Sequence, residues 1–92
     1  MQKVVFITGA SSGFGKACAE KFACHGYDNI INARREDKLL ELKQHLEKKY
    51  NTAIFVSAFD VRNRNEVFEA IKNIPEEWQH VDVLINNAGL AL

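Results

Sequence analysis

The chain holds one proline, one tryptophan and two cysteines, and its charges cancel, with twelve Lys and Arg against twelve Asp and Glu. Two cysteines cannot build a disulfide framework, so Cys18 and Cys24 are expected as small buried thiols in a reducing cytoplasm. They share no ligand-type spacing with His25, and His25, His45 and His80 lie far apart. No metal site and no catalytic histidine is therefore expected, and the histidines are read as surface residues. Balanced charge without a like-charge run gives no basic face for nucleic acid. No apolar run approaches the length that crosses a membrane, and the chain opens on a strand-like segment rather than a basic region followed by a long apolar one. Neither a signal peptide nor a membrane partner is expected. Ninety-two residues make at most one domain with a modest core.

What is present alternates. Val4 to Thr8 is a continuous β-branched run, as in a strand buried on both faces. From Gly13 to about His25, Phe14, Ala17, Cys18 and Phe22 recur at helical spacing, with Gly26 as the stop. Asn29 to Ala33 reads as a second strand. Glu36 to Tyr50 reads as a helix with Leu39, Leu42, Leu46 and Tyr50 inward, and its end charges oppose the helix dipole. Thr52 to Phe59 is a third strand. Asn65 to Ile74 is a helix with Val67, Phe68, Ile71 and Ile74 inward, stopped before Pro75, beside which Trp78 packs. Val81 to Ile85 is a fourth strand, after which the pattern ends. This α/β alternation predicts a parallel sheet with right-handed crossover helices and strand order 3-2-1-4. Ligands of such sheets bind beyond the carboxyl ends of the strands at the reversal of strand order, here between the first and fourth strands.

Three segments meet that edge. In Thr8-Gly9-Ala10-Ser11-Ser12-Gly13-Phe14-Gly15, glycines at a strand-to-helix turn make a phosphate cradle. Gly9 allows the tight exit, Gly13 the close approach of a pyrophosphate, and Gly15 close packing of helix on sheet. Ser11 and Ser12 add hydroxyl donors. A magnesium-dependent P-loop is excluded, because Ala17 stands where its Ser or Thr hydroxyl belongs and the glycine spacing differs. The second strand ends in Ala33-Arg34-Arg35, without the acid that would hold a ribose 2′-hydroxyl. An Arg–phosphate bond contributes about 1.5–3 kcal/mol, which favours NADP, with Arg34 ahead of Arg35. The other reading is a solvated pair neutralised by Glu36 and Asp37. Asp60-Val61 follows the third strand, where the carboxylate can accept from an adenine amino group and the next N–H can donate to the ring. An N-cap aspartate fits the spacing equally well. Asn86 and Asn87 close the fourth strand, and Gly89 allows close approach; as a bland alternative they form a turn.

Together, T-G-A-S-S-G-F-G, the arginine pair, Asp60-Val61 and N-N-A-G resemble the short-chain dehydrogenase/reductase family, in order and separation, over essentially the whole chain. The resemblance implies the N-terminal part of an NAD(P)-binding Rossmann-type α/β/α domain spanning 1–92 and truncated after the fourth strand. It implies an adenine site at Asp60 and Val61, and it places Asn86, Ala88 and Gly89 beside the adenosine ribose. Ala33 matches the position of the NAD-selecting acid and Arg34 that of the NADP-selecting arginine. Asp60 to Arg64, Pro75 with Glu77-Trp78, and Val81 to Leu92 are similar to the branch of NADP-dependent 3-hydroxy acid dehydrogenases, which also act on serine and allo-threonine. For a full-length chain it implies a homo-oligomer, dimer or tetramer. The sequence departs from the family in length and in lacking its Tyr-x-x-x-Lys: Tyr27 and Tyr50 are the only tyrosines, and neither is followed four residues later by lysine. Two expectations follow: the cofactor-binding part of an NADP-dependent oxidoreductase, inactive alone, or a non-catalytic dinucleotide-binding module.

Overall fold

The computed structural model describes residues 2–11 and 13–87. Four strands and three helices alternate: β1 (Val4–Thr8), α1 (Gly13–Cys24), β2 (Asp28–Ala33), α2 (Glu36–Tyr50), β3 (Ile54–Ala58), α3 (Arg64–Lys72) and β4 (Val83–Asn86), with a short 3-10 turn, Glu76–Trp78, before β4. The sheet is parallel with order β3-β2-β1-β4, as the alternation predicts. Phe6 pairs with Ile30 and with Leu84, and Ile30 pairs with Phe55, so these four share one face of the sheet. The alternate residues Val5, Ile7, Ile31, Ala33 and Ile54 face the other way and form the core with α1 and α2.

The α2 helix follows its sequence pattern. Leu39, Leu42 and Leu46 are buried, and Tyr50 packs against the cluster. Asn51 ends the helix in the left-handed region, with its N–H donating to the Glu47 carbonyl. Lys49 Nζ and Tyr50 Oη each donate to Glu20 Oε2 at 2.9 Å, tying the end of α2 to α1. The Lys49 ammonium is the main cause holding the Glu20 carboxyl below its usual range.

Elsewhere the structure departs from the apolar pattern. In α1 the buried row is Gly15, Ala19 and Ala23, while Phe14 is 64% exposed and Ala17 is also exposed. Small residues four apart let α1 lie close on the sheet, and the larger Cys18 and Phe22 pack only at its flank. Cys18 is therefore half-buried and Cys24 exposed, against the expectation of two buried thiols. In α3 no residue is fully buried: Phe68 is 59% and Ile71 54% exposed, and only Ile74, beyond the helix, is buried. Their face of α3 is therefore largely open to solvent. Trp78 packs on Phe55, with ring centroids 5.7 Å apart, and its backbone N–H donates to the Pro75 carbonyl.

Element ends shift by a residue or two. The α1 helix stops at Cys24 rather than His25, and β2 starts one residue early at Asp28. The β3 strand is shorter than Thr52–Phe59, because the Ala53 N–H donates to the Asp28 carboxylate outside the ladder. The α3 helix starts one residue early and ends at Lys72. The β4 strand begins at Val83, because Asp82 turns its carboxylate back to accept from the Val4 N–H at 2.9 Å. His25, His45 and His80 are exposed, and His80 Nε2 lies 3.2 Å from Asp82 Oδ1. Among the described residues no helix is long and apolar enough to cross a membrane.

Candidate functional site

The turn after β1 is shaped by its glycines. Gly9 and Gly13 have φ of +64° and +58°, a region that L side chains rarely adopt. Gly15 has an ordinary φ and a different constraint. A Cβ there would overlap the Gly9 carbonyl and lie 2.9 Å from Asn87 Nδ2. A Cβ at Gly13 would meet nothing within 4 Å, so the backbone there faces open space. Ser11 is half-buried and Phe14 exposed beside it, while Ser12 lies outside the described residues. The helix that starts here has no acid in its first turn, whereas α2 carries Glu36 and Asp37 and α3 carries Glu66. Its N-terminal dipole is therefore not offset by a carboxylate within its own first turn, and the first N–H groups of a helix have no intrahelical acceptor. The turn suits an anion.

Hydrogen bonds from both neighbouring strands fix this turn. Asn87 Nδ2 donates to the Gly9 carbonyl at 3.1 Å. The Thr8 hydroxyl lies 3.1 Å from Asn86 Oδ1 and 3.4 Å from the Ile85 carbonyl. On the other side the Ala10 N–H donates to the Asn32 carbonyl at 2.8 Å. Asn32 is 1% exposed, and its Nδ2 donates to the carbonyls of Ser57 and Phe59, both at 3.0 Å. The sequence motifs assign Asn32 no role. A carboxamide inside an apolar strand was the available signal, since buried polar groups need partners. Ala88 and Gly89 lie outside the described residues.

The two arginines after β2 differ. Arg35 is forked onto Asp37, with Nε 3.3 Å from Oδ1 and Nη2 2.8 Å from Oδ2. This pair holds the Asp37 carboxyl below its usual range. Arg34 is exposed and forms no side-chain hydrogen bond or ion pair among the described residues. Its charge also acts on Asp60 at the neighbouring strand end. Asp60 is not the helix cap: that role falls to Asn63, whose Oδ1 accepts from the Glu66 N–H at 3.2 Å. The Asp60 carboxylate instead accepts from Arg62, whose guanidinium is the main cause of its lowered pKa. The sequence motifs assign Arg62 no role of its own. Val61 is half-buried next to it.

Gly9, Gly13, Gly15, Asn86 and Asn87 thus gather around the carboxyl ends of β1 and β4, while Arg34, Arg35, Asp60 and Val61 continue the same edge past β2 and β3. A separate open groove of about 380 Å³, lined by Phe59, Asn63, Glu66 and Glu69, lies along α3 and includes none of these glycines. Among the described residues, no cluster of three His, Cys, Asp or Glu could hold a metal ion.

Comparison with known proteins bears on this edge. The family model for short chain dehydrogenases matches residues 3–92. NADP-dependent 3-hydroxy acid dehydrogenase YdfG of Escherichia coli strain K12 is 39% identical over 89 residues, covering 97% of this chain and 34% of that protein. Sulfoacetaldehyde reductase 2 of Chromohalobacter salexigens is 42% identical over 92 residues, covering all of this chain and 36% of that protein. Among solved structures, L-sorbose reductase from Gluconobacter frateurii, complexed with NADPH and L-sorbose, superposes with a TM-score of 0.88 at 36% identity, over 96% of this chain and 34% of that one. The chain spans about a third of the length of these relatives. A parallel sheet of this order, a glycine turn packed under its first helix and a family match over nearly every residue agree: the chain belongs to the short-chain dehydrogenase family.

Proposed function

We propose that these 92 residues are the N-terminal, NADP-binding part of an oxidoreductase that moves hydride between NADP(H) and a small 3-hydroxy acid or its carbonyl form. The observation that carries this reading is the edge formed by the open, acid-free start of α1 at Gly13 and the unpaired Arg34 beyond β2. Open space over Gly13 and a left-handed backbone suit a pyrophosphate pressed against main-chain N–H groups. Ser11 and Phe14 flank it, and the Ser12 hydroxyl is proposed as a further donor. Arg34 is available for a 2′-phosphate without first breaking an ion pair, and Arg35 joins by leaving Asp37. Ala33 offers no carboxylate to repel that phosphate. Asp60 and the Val61 N–H form an acceptor and a donor for the adenine edge, and Asn86 borders the ribose, a role that the family resemblance extends to Ala88 and Gly89.

When bound, the cofactor supplies or takes up the hydride. These residues supply grip and orientation. Proton transfer needs a placed acid or base, and no tyrosine here has a lysine four residues on. The hydroxy-acid substrate rests on similarity to YdfG. The oligomeric state proposed for a longer chain is a dimer or tetramer.

The test is a thermal melt of the 92-residue chain with and without NADP, beside a carbonyl-reduction assay. Ligand at about 100 times its Kd stabilises the fold by about 2.7 kcal/mol, so the midpoint should rise by roughly 10–20 °C. No turnover is expected. An unchanged midpoint would overturn the cofactor reading, and NADPH-dependent reduction by this chain would overturn the claim that it is inactive alone.

A further inference from the structure

Arg62 spends three donors on one carboxylate. Its backbone N–H and its Nε donate to Asp60 Oδ1 at 2.9 and 3.1 Å, and its Nη2 donates to Oδ2 at 3.0 Å. An ionised carboxylate offers about four acceptor positions. Oδ1 is therefore filled, and Oδ2 keeps one acceptor open. The adjacent Val61 N–H has no acceptor among the described residues. The backbone beneath them is held by other groups: the Asn63 N–H donates to the Asp60 carbonyl at 2.9 Å, and the Asp60 N–H donates to Glu66 Oε1 at 3.2 Å. A held acceptor and the unpaired N–H of the next residue thus share a turn that does not need the Arg62 side chain to keep its path.

A purine reads such a pair by sign. Adenine presents an amino donor beside a ring-nitrogen acceptor, which matches. Hypoxanthine presents a carbonyl acceptor beside a ring N–H donor, which is the reverse. Selection then depends on the carboxylate staying ionised and staying aimed. Its side chain is 26% exposed and could otherwise swing toward water. The charged groups around it are Arg62 and Arg34, which stabilise the anion, and Glu66 on its backbone N–H.

We propose that Arg62 is a positioning residue for base recognition: its Nε–Nη2 fork aims the remaining Oδ2 acceptor and so makes the site select a 6-amino over a 6-oxo purine. The proposal rests on the reading of Asp60 and Val61 as adenine contacts. An ion pair whose arginine is 71% exposed adds little to folding stability, so the fork's consequence is orientation.

The experiment is calorimetric titration of the chain and of its Arg62→Ala and Arg62→Gln variants with NADP, NAD and deamino-NADP, in which hypoxanthine replaces adenine. A charge-assisted bond in the match against an unpaired group in the mismatch predicts that the unaltered chain prefers NADP over deamino-NADP by about tenfold or more. Both variants should lose most of that preference through weaker NADP binding, with deamino-NADP affinity and the NADP-to-NAD ratio unchanged. Equal weakening of NADP and deamino-NADP in the variants, or an intact preference, would overturn the proposal. So would loss of the far-ultraviolet circular dichroism of both variants, since the fork would then serve the fold. An unaltered chain that binds both forms equally overturns the Asp60–Val61 reading as well, and one that binds no dinucleotide overturns the cofactor reading beneath both.

Discussion

The α2 and α3 helices carry apolar residues at the same kind of spacing, and the structure treats them differently. Leu39, Leu42 and Leu46 of α2 are at most 4% exposed, whereas Phe68 and Ile71 of α3 are more than half exposed. Both follow a strand and both end before the next one. The difference lies in what each meets. The α2 helix lies on the face that also holds α1, so Val5, Ile7, Ile31 and Ile54 close around its leucines. After β3 the chain reverses direction across the sheet, and a right-handed crossover then puts α3 on the opposite face. That face holds Leu84, which is 64% exposed, and no second described helix beside α3. Helical spacing shows that a stripe exists. Whether the stripe is buried depends on a partner that the local pattern does not contain.

The contrast can be broken most strongly from the α2 side. Leu46→Ala removes a fully buried side chain and should cost about 2–5 kcal/mol in urea unfolding, from lost transfer energy and the cavity left behind. Gly15→Ala should cost about 1–3 kcal/mol, because the nearest colliding atoms are the backbone carbonyl of Gly9, which cannot swing aside as the Asn87 side-chain amide can. It should also weaken NADP binding, since it displaces the turn itself. Phe68→Ser on α3 should change stability by no more than about 0.5 kcal/mol, as an exposed substitution does. A loss comparable to that of Leu46→Ala would show that the α3 face is covered in solution, and the contrast between the helices would fail.

The same distinction decides what was readable from the sequence. Strand order, alternation and the whole span of α2 were legible, because continuous β-branched runs and a leucine stripe between charged faces permit few alternatives. The backbone demands of Gly9 and Gly15 were legible too, since a tight exit and a close helix-to-strand approach are local needs. Cys18, Cys24, Phe68 and Ile71 were misplaced because burial is set by distant elements. At the site, sequence could put Arg34 and Arg35 on one edge but could not see that Asp37 occupies only the second. Nor could it choose between a cap and a binding role for Asp60. Turn geometry gave the cap to Asn63 and the carboxylate to Arg62. Asn32 went without a role for a related reason: its two acceptors are main-chain carbonyls of β3 and the residue after it, which no side-chain motif marks.

The central claim is that this edge of the sheet binds NADP, with Arg34 reading the 2′-phosphate. Titration of the chain and of Arg34→Ala with NADP and with NAD tests it most directly. One charge-assisted phosphate contact predicts that NADP binds about ten- to a hundredfold more tightly than NAD, that Arg34→Ala removes most of that difference, and that NAD affinity is unchanged. Equal affinity for the two dinucleotides, unaltered by Arg34→Ala, would contradict the account.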